Sequence, residues 1–88
     1  MKLNLLIIGC GNFGSRYLSI IFNKYKRSNI YIHDINKSNI EKCKKNYPTI
    51  LVLKDFKNIK NLNINGVIIA TPADKHLYFV KLCIKNKL

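Results

Sequence analysis

Short apolar runs alternate with amphipathic segments along the whole chain. Runs of strand length occupy residues 3–8, 30–33, 49–53 and 67–70. Apolar side chains recur at helical spacing in residues 13–26, after the turn at 34–38 as far as 46, and from about 74 to the end. Alternating strands and helices indicate βαβ units with right-handed crossovers. We therefore predict an α/β fold: an incomplete Rossmann-type, doubly wound parallel sheet with about four strands and three to four helices, one of them a single turn at 55–60.

The spacing of apolar residues also predicts which face of a helix is buried. For the first helix, the predicted inward residues are Phe13, Tyr17, Ile20 and Ile21. For the last helix they are Leu77, Val80 and Ile84, with Phe79 and Cys83 beside them. We expect this last helix to pack on a sheet, and a fifth strand would be due where the chain stops. An exposed sheet edge and uncovered apolar residues predict self-association.

The most informative motif is Gly9-Cys10-Gly11-Asn12-Phe13-Gly14, between the first strand and the first helix. The glycine pattern alone is weak, and a glycine-rich turn of another α/β protein is the alternative. Here Asp34 follows twenty residues after Gly14, at the end of the second strand, which is the context of a dinucleotide-binding fingerprint. Gly9 permits the tight turn, Gly11 lets the backbone approach a pyrophosphate, and Gly14 lets the helix pack on the strand. The helix N-terminus offers its N–H groups to the phosphates.

Asp34 is placed to accept hydrogen bonds from the hydroxyls of an adenosine ribose. A carboxylate there repels a 2′-phosphate and no Arg follows it, so the sequence favours NAD over NADP, although Lys37 lies close by. The alternative is that Asp34 caps the second helix, a role that Asn36 or Ser38 could fill instead.

The 88 residues form one small domain, residues 1–88, or a piece of a larger protein, and carry a formal net charge of +12. Fourteen of the sixteen basic residues are lysines, spread over helices and loops rather than along one stripe with interleaved aromatic residues. We therefore predict a solvated basic surface that helps to attract a polyanionic cofactor, and no nucleic-acid partner. A role at nucleic acid or another anionic surface is the less favoured alternative.

Three cysteines, Cys10, Cys43 and Cys83, form no C-x-x-C pair and no metal-ligand cluster with the two histidines. Their odd number and wide spacing predict a reducing, cytoplasmic location. Cys10 lies near a helix N-terminus, where its thiol pKa could fall; the alternative is a small residue that fits a crowded turn. The first apolar run is too short for a signal peptide, and none approaches a membrane span, so we predict no membrane association.

A third motif, Ala70-Thr71-Pro72 followed by His76, comes after the fourth strand. The three motifs, in their order and spacing, resemble the N-terminal domain of Gfo/Idh/MocA oxidoreductases, relatives of glucose–fructose oxidoreductase and inositol dehydrogenase. The resemblance covers essentially the whole chain but a minor part of a typical member. It implies use of NAD(H) or NADP(H) on hydroxyl and carbonyl groups of sugars, cyclitols and nucleotide-sugars. The family's catalytic Glu-Lys-Pro motif and its C-terminal substrate domain are absent from these 88 residues, so we expect the chain alone to be inactive.

The glycine motif and the resemblance together imply a cofactor site without a catalytic residue and without a metal. The expected cofactor-binding residues are Gly9, Cys10, Gly11, Asn12, Phe13, Gly14, Asp34, Ile35, Ala70, Thr71, Pro72 and His76. By the resemblance, Thr71 and Pro72 contact the central ribose or the nicotinamide half, or else they form only a strand-to-helix turn. His76 lies near the nicotinamide or merely packs, and His33 is structural.

Three functional hypotheses follow. The first is the NAD(P)-binding portion of an oxidoreductase, and the second is a stand-alone NAD-sensing regulatory module. The Ala-Thr-Pro-x-x-x-His segment favours the first, because a regulatory module has no reason to carry it. The third is a decayed gene product without a role, for which the missing fifth strand is the argument.

Overall fold

The computed structural model describes residues 2–57 and 59–88, with the backbone alone at Phe13. Its strands are β1 (Asn4–Ile8), β2 (Asn29–His33), β3 (Leu51–Val52) and β4 (Gly66–Ile69). Its helices are α1 (Asn12–Lys24), α2 (Lys37–Asn46) and α3 (Ala73–Lys85), with a 3₁₀ turn at Ile59–Leu62. The strands are all parallel in the order β3-β2-β1-β4. The predicted Rossmann-type sheet of four strands is confirmed, although β3 is shorter than expected and the single turn lies at Ile59–Leu62 rather than at 55–60.

The central strand β1 is buried on both faces of the sheet. Ile7 belongs to the core beneath α1 and α2, with Leu18 and Ile32. Leu6 and Ile8 belong to the second core, beneath α3 and the 3₁₀ turn. All three β1 residues are 0% exposed, and each such burial stabilises the fold by about 1.5–3 kcal/mol. In the sequence, a parallel strand that is covered on both faces is a continuous apolar run, and the position of β1 could be predicted for this reason.

The buried face of α1 differs from the predicted one. Ile21 points into the core as predicted, together with Leu18, whereas Tyr17 and Ile20 are 46% and 62% exposed. The side chain of Phe13, also predicted to face inward, lies outside the described residues. Gly14 is buried at the start of the same face, and Leu18 and Ile21 follow it at helical spacing. The contact of Gly14 with the end of β1 thus selects the face, and Tyr17 and Ile20 were wrongly assigned to it.

The buried face of α3 also differs from the predicted one. Phe79 and Cys83 are buried, whereas Leu77, Val80 and Ile84 are exposed. The three exposed residues follow one another at i, i+3 and i+7, so they form an apolar stripe on the outer side of the helix. Packing on the sheet is therefore confirmed for α3, through Phe79 and Cys83, which were expected beside the inward face. Leu77, Val80 and Ile84 were wrongly assigned to that face.

Three strands end together at one edge of the sheet. Ile8 of β1 is in register with His33 of β2 and with Ile69 of β4. The loops that begin at Gly9, Asp34 and Ala70 therefore start side by side. In an open parallel sheet this edge, outside the carboxyl ends of the strands, is where ligands bind. Over the described part of the chain, no helix is long and apolar enough to cross a lipid bilayer.

Candidate functional site

A cavity of about 800 Å³ lies at this edge and is lined by all three loops. A volume of this order lies within the range of small-molecule and cofactor sites. Eight of the predicted cofactor-binding residues line it: Gly9, Gly11, Asn12, Asp34, Ile35, Ala70, Thr71 and Pro72. Three lie outside its lining: Cys10, Gly14 and His76. The side chain of Phe13 is outside the described residues.

The three glycines of the loop occupy different environments. Gly9 has φ +89°, a left-handed conformation, and a Cβ there would lie 2.9 Å from the carbonyl carbon of Ala70. A Cβ at Gly14 would overlap the carbonyl oxygen of Gly9, so the helix can approach β1 only without a side chain. A Cβ at Gly11 would meet only the amide nitrogen of Asn39, at 3.7 Å. Gly9 and Gly14 therefore serve the fold, while Gly11 leaves space within the cavity.

The N-terminus of α1 lies beside the cavity, where Gly11 and Asn12 belong to the lining. Gly11 is its N-cap residue and makes no side-chain capping bond, and its first turn contains no acidic residue. The first N–H groups of a helix have no partner within the helix, and the positive end of the dipole lies there. The N-terminus of α3 borders the same cavity but carries Asp74 in its first turn. The N-terminus of α1 is therefore the more favourable of the two helix N-termini for binding a phosphate.

Asp34 stands at the centre of a hydrogen-bond network beside the cavity. Its Oδ2 accepts from the backbone N of Cys10 at 2.9 Å and from Nδ2 of Asn39 at 3.1 Å, and its Oδ1 accepts from the N of Asn36 at 2.9 Å. Partial burial raises the pKa of Asp34, but these donors outweigh it and hold the pKa below its ordinary value. The carboxyl group is therefore ionised at neutral pH.

The predicted alternative role of Asp34, as the cap of α2, is wrong. Asn36 is the N-cap residue, and its Oδ1 accepts from the backbone N of Ser38 at 2.9 Å and of Asn39 at 3.2 Å. The Asp34 carboxylate thus keeps its position between the β1–α1 loop and the cavity.

The cysteine of the glycine loop is not an activated thiol. Cys10 is 3% exposed, and burial, with further contributions from Cys43 and Asp34, strongly raises its pKa. The expectation that the helix N-terminus lowers this pKa is wrong, because desolvation and the neighbouring carboxylate both oppose the thiolate. The alternative holds: Cys10 is a small residue in a crowded turn. In the described ranges, no three His, Cys, Asp or Glu side chains are grouped as a metal site would require.

Thr71 and His76, the polar residues of the third motif, have different surroundings. The Oγ1 of Thr71 is buried beside the cavity with no hydrogen-bond partner. A buried hydroxyl without a partner is costly, so a ligand hydroxyl or phosphate at this position would fit it. His76 is turned away, since its Nε2 donates to the carbonyl oxygen of Ile69 at 2.9 Å. His33, predicted to be structural, borders the cavity, and its Nδ1 donates to the carbonyl of Leu53 at 2.7 Å.

Several lining residues were not singled out as cofactor-binding from the sequence. They include Asn39, Lys75 and Tyr78. Asn39 lies in the first turn of α2, close to the Asn36 cap, and no sequence signal marked it as a lining residue. Lys75 and Tyr78 lie in the first two turns of α3, three residues apart, so they share a face that borders the cavity. That face could not be assigned before the inward side of α3 was known.

Comparisons with known proteins support the fold and the family. The structure is similar to the WlbA dehydrogenase from Bordetella pertussis solved with NADH and UDP-GlcNAcA, with a TM-score of 0.78 and 16% identity over 97% of this chain and 26% of that one. It is also similar to the apo scyllo-inositol dehydrogenase from Lactobacillus casei, with a TM-score of 0.77 and 20% identity over 97% of this chain and 26% of that one. A third similar structure is prephenate dehydrogenase from A. aeolicus, solved with hydroxyphenyl propionate and NAD+, with a TM-score of 0.78 and 21% identity over 92% of this chain and 28% of that one.

These structures are much longer than the chain, which spans 26–28% of their lengths. No curated protein has a significantly matching sequence. The model of the GFO_IDH_MocA family, described as an oxidoreductase family with an NAD-binding Rossmann fold, matches residues 3–88. The chain therefore belongs to the Gfo/Idh/MocA oxidoreductase family, and its residues 3–88 match the NAD-binding Rossmann fold of that family.

Proposed function

We propose that the chain binds NAD(H) in preference to NADP(H), and that it does so as the cofactor-binding portion of an oxidoreductase. The observation that carries the proposal is the ionised carboxylate of Asp34 at the carboxyl end of β2, bordering the cavity. Its Oδ1 has a single protein donor, so it retains capacity to accept from a ribose hydroxyl. A 2′-phosphate would bring a second anion next to this carboxylate, with unfavourable electrostatic energy.

The glycine loop supports the same ligand. Gly11 and Asn12 border the cavity where α1 begins, and the N-cap residue Gly11 has no side chain to occupy the helix N–H groups. A pyrophosphate received at this point would accept hydrogen bonds from backbone N–H groups and gain from the helix dipole. The net charge of +12 increases the attraction of a polyanion over a longer range.

The substrate class is proposed from the family and its members. WlbA was solved with the nucleotide-sugar UDP-GlcNAcA, and the L. casei protein is an inositol dehydrogenase. We extend this chemistry, oxidation or reduction of a hydroxyl or carbonyl group on a sugar, cyclitol or nucleotide-sugar, to the protein in which this domain works. The isolated chain lacks turnover under the same proposal, because binding a nicotinamide without orienting a hydroxyl and a base beside it gives no hydride transfer. His76 does not supply the base, since its Nε2 is engaged by Ile69.

Two further points belong to the proposal. The β4 edge and the outer apolar stripe of α3, formed by Leu77, Val80 and Ile84, support self-association. The three cysteines are free and buried, which supports the reducing cytoplasm as the compartment.

Calorimetric titration with NAD+ and NADP+ tests the cofactor preference. We expect NAD+ to bind at least about tenfold more tightly than NADP+. The Asp34→Asn variant should reduce this ratio, whereas Asp55→Asn, which changes an aspartate outside the cavity, should not. Gly11→Val, which places a branched side chain in the open space at the loop, should abolish binding. Equal or tighter binding of NADP+ would remove the role given to Asp34.

Activity is measured separately, by NADH absorbance with a panel of sugars and cyclitols. The proposal predicts no turnover by the isolated chain. Turnover that is lost in a His76→Ala variant would contradict it.

A further inference from the structure

We infer that His33 is a base-selecting residue of the cavity. The Nε2 atom of its neutral ring accepts a hydrogen bond from the 6-amino group of a purine, so that adenine is bound in preference to a 6-oxo purine such as hypoxanthine or guanine. The inference rests on the proposed dinucleotide site and goes beyond it, because it gives a role in ligand selection to a residue that the sequence indicated only as structural.

The hydrogen bond at one ring nitrogen of His33 determines the chemistry of the other. Nδ1 lies 2.7 Å from the carbonyl oxygen of Leu53. A carbonyl oxygen only accepts hydrogen bonds, so Nδ1 carries the proton. A neutral imidazole has one protonated nitrogen, and Nε2 is therefore an acceptor with a free lone pair. A ligand group that meets Nε2 must be a donor.

The Nε2 atom of His33 is accessible from the cavity. It makes no hydrogen bond within the described ranges. Among the described residues, the buried side-chain polar atom without a partner is the Oγ1 of Thr71, so the unpartnered Nε2 is not buried. Since His33 borders the cavity, this is the space into which Nε2 is exposed.

The ring of His33 is held in place, which gives its acceptor a fixed position. The ring centroid lies 5.1 Å from that of Phe56 and 6.0 Å from that of Phe79, both in edge-to-face geometry. The charged residues Asp74 and Lys75 also border the cavity, but they are exposed, so solvent weakens their selection between ligands. A fixed acceptor selects more strongly, because a mismatched ligand leaves it unpaired.

The position of His33 next to Asp34 brings it to the base rather than to the sugar. Successive side chains of a strand point to opposite faces of the sheet. The Asp34 carboxylate accepts from Cys10 and Asn39, on the side of α1 and α2, whereas His33 packs against Phe79 of α3. The cavity borders both α2 and α3. With a ribose at Asp34, the attached base therefore extends towards α3 and meets the ring of His33.

The 6-position of the purine is where a single acceptor distinguishes two bases. Adenine has an amino group there, which donates, whereas hypoxanthine and guanine have a carbonyl oxygen, which accepts. An oxygen opposite the lone pair of Nε2 leaves both atoms without a donor. The 6-oxo base carries its proton on N1 and donates to the fixed ring only if the whole base shifts in the cavity.

Calorimetric titration of the intact chain at pH 8 tests the inference, with NAD+ and with nicotinamide hypoxanthine dinucleotide, in which an oxygen replaces the 6-amino group. We expect NAD+ to bind at least about tenfold more tightly. In His33→Phe, which keeps an aromatic ring but has no acceptor, the ratio should fall to about one. The matched Tyr31→Phe variant changes an aromatic residue on the same face of β2, outside the cavity, and should keep the ratio of the unmodified chain.

A second measurement needs no variant, and it decides the matter if His33→Phe does not fold. In ¹⁵N NMR of the histidine rings of the unmodified chain, NAD+ should shift the Nε2 resonance of His33 and leave Nδ1 protonated. The hypoxanthine dinucleotide should shift Nε2 less.

The outcomes separate this inference from the proposed function. If NAD+ binds but the two dinucleotides have equal affinity, the inference is wrong and the cofactor site stands. The same conclusion follows if His33→Phe folds and keeps the ratio, or if bound NAD+ leaves the Nε2 resonance unmoved. If neither dinucleotide binds, the proposed function fails and the inference fails with it.

Discussion

The substitution Gly14→Ala tests the packing that places the glycine loop. The added methyl group would overlap the carbonyl oxygen of Gly9 and lie 2.7 Å from its carbonyl carbon, whereas ordinary contact begins near 3.4 Å. Both partners are backbone atoms, so no rotamer change relieves the overlap, and α1 must move away from β1. Overpacking costs about 1–3 kcal/mol, and this case belongs at the upper end. Alanine regains up to about 1 kcal/mol in helix propensity, which leaves a net loss of about 2 kcal/mol.

This loss is large for a domain of 88 residues, whose total stability is on the order of 4–13 kcal/mol. Urea denaturation followed by circular dichroism measures it, and we expect the midpoint to fall by about 1–2 M. Gly11→Ala is the matched control, because its Cβ makes an ordinary 3.7 Å contact with Asn39 and φ at Gly11 is −76°. Its midpoint should stay close to that of the unmodified chain. A Gly14→Ala protein as stable as the unmodified chain, or a Gly11→Ala protein equally destabilised, would refute the reasoning.

Three further predictions concern acid stability, thiol reactivity and assembly. The hydrogen-bond donors around Asp34 lower its pKa, so the ionised carboxylate stabilises the fold above the ordinary pKa of 3.8, and this stabilisation is lost as the pH falls through the lower pKa of the folded state. In Asp34→Asn the free energy of unfolding should therefore fall less on acidification. An unchanged pH dependence would contradict this. Cys10 is buried with a raised pKa, so iodoacetamide at pH 8 should label it only after unfolding in urea; rapid labelling of the folded chain would oppose this. Sedimentation velocity should show self-association of the chain, and the double substitution Leu77→Lys and Ile84→Lys should reduce it. A chain that stays monomeric at every concentration would exclude self-association.

The sequence predicted the elements of the fold better than the faces of its helices. The β1 and β4 runs are short and apolar, and turn signals bound them, so their positions were predicted within one or two residues. In α1, apolar residues occur on several sides of the helix, and spacing alone identified Ile21 but did not distinguish Tyr17 and Ile20 from the buried Leu18. Gly14 was expected to pack on the strand, and the buried residues Leu18 and Ile21 lie at helical spacing from it.

The candidate site was predictable where backbone geometry dictates the residue. The backbone at position 9 has a positive φ, and the contact at position 14 leaves no room for a side chain. Both positions therefore require glycine, and the glycine motif identifies them. Asn39 and Tyr78 were not identified, because nothing in their local sequence requires their type. Their place beside the cavity comes from how α2 and α3 dock on the sheet, which is a property of tertiary packing.

We propose that the three loops at the carboxyl edge of the sheet together bind one dinucleotide. A titration of the ¹⁵N-labelled chain with NAD+, followed by NMR, tests it most directly. We expect the shifts to concentrate on the amides of Gly9, Gly11, Asn12, Asp34 and Thr71, and we expect Gly11→Val to keep the folded spectrum but lose the shifts. Shifts spread over the lysine-rich surface, or no shifts at millimolar NAD+, would contradict it.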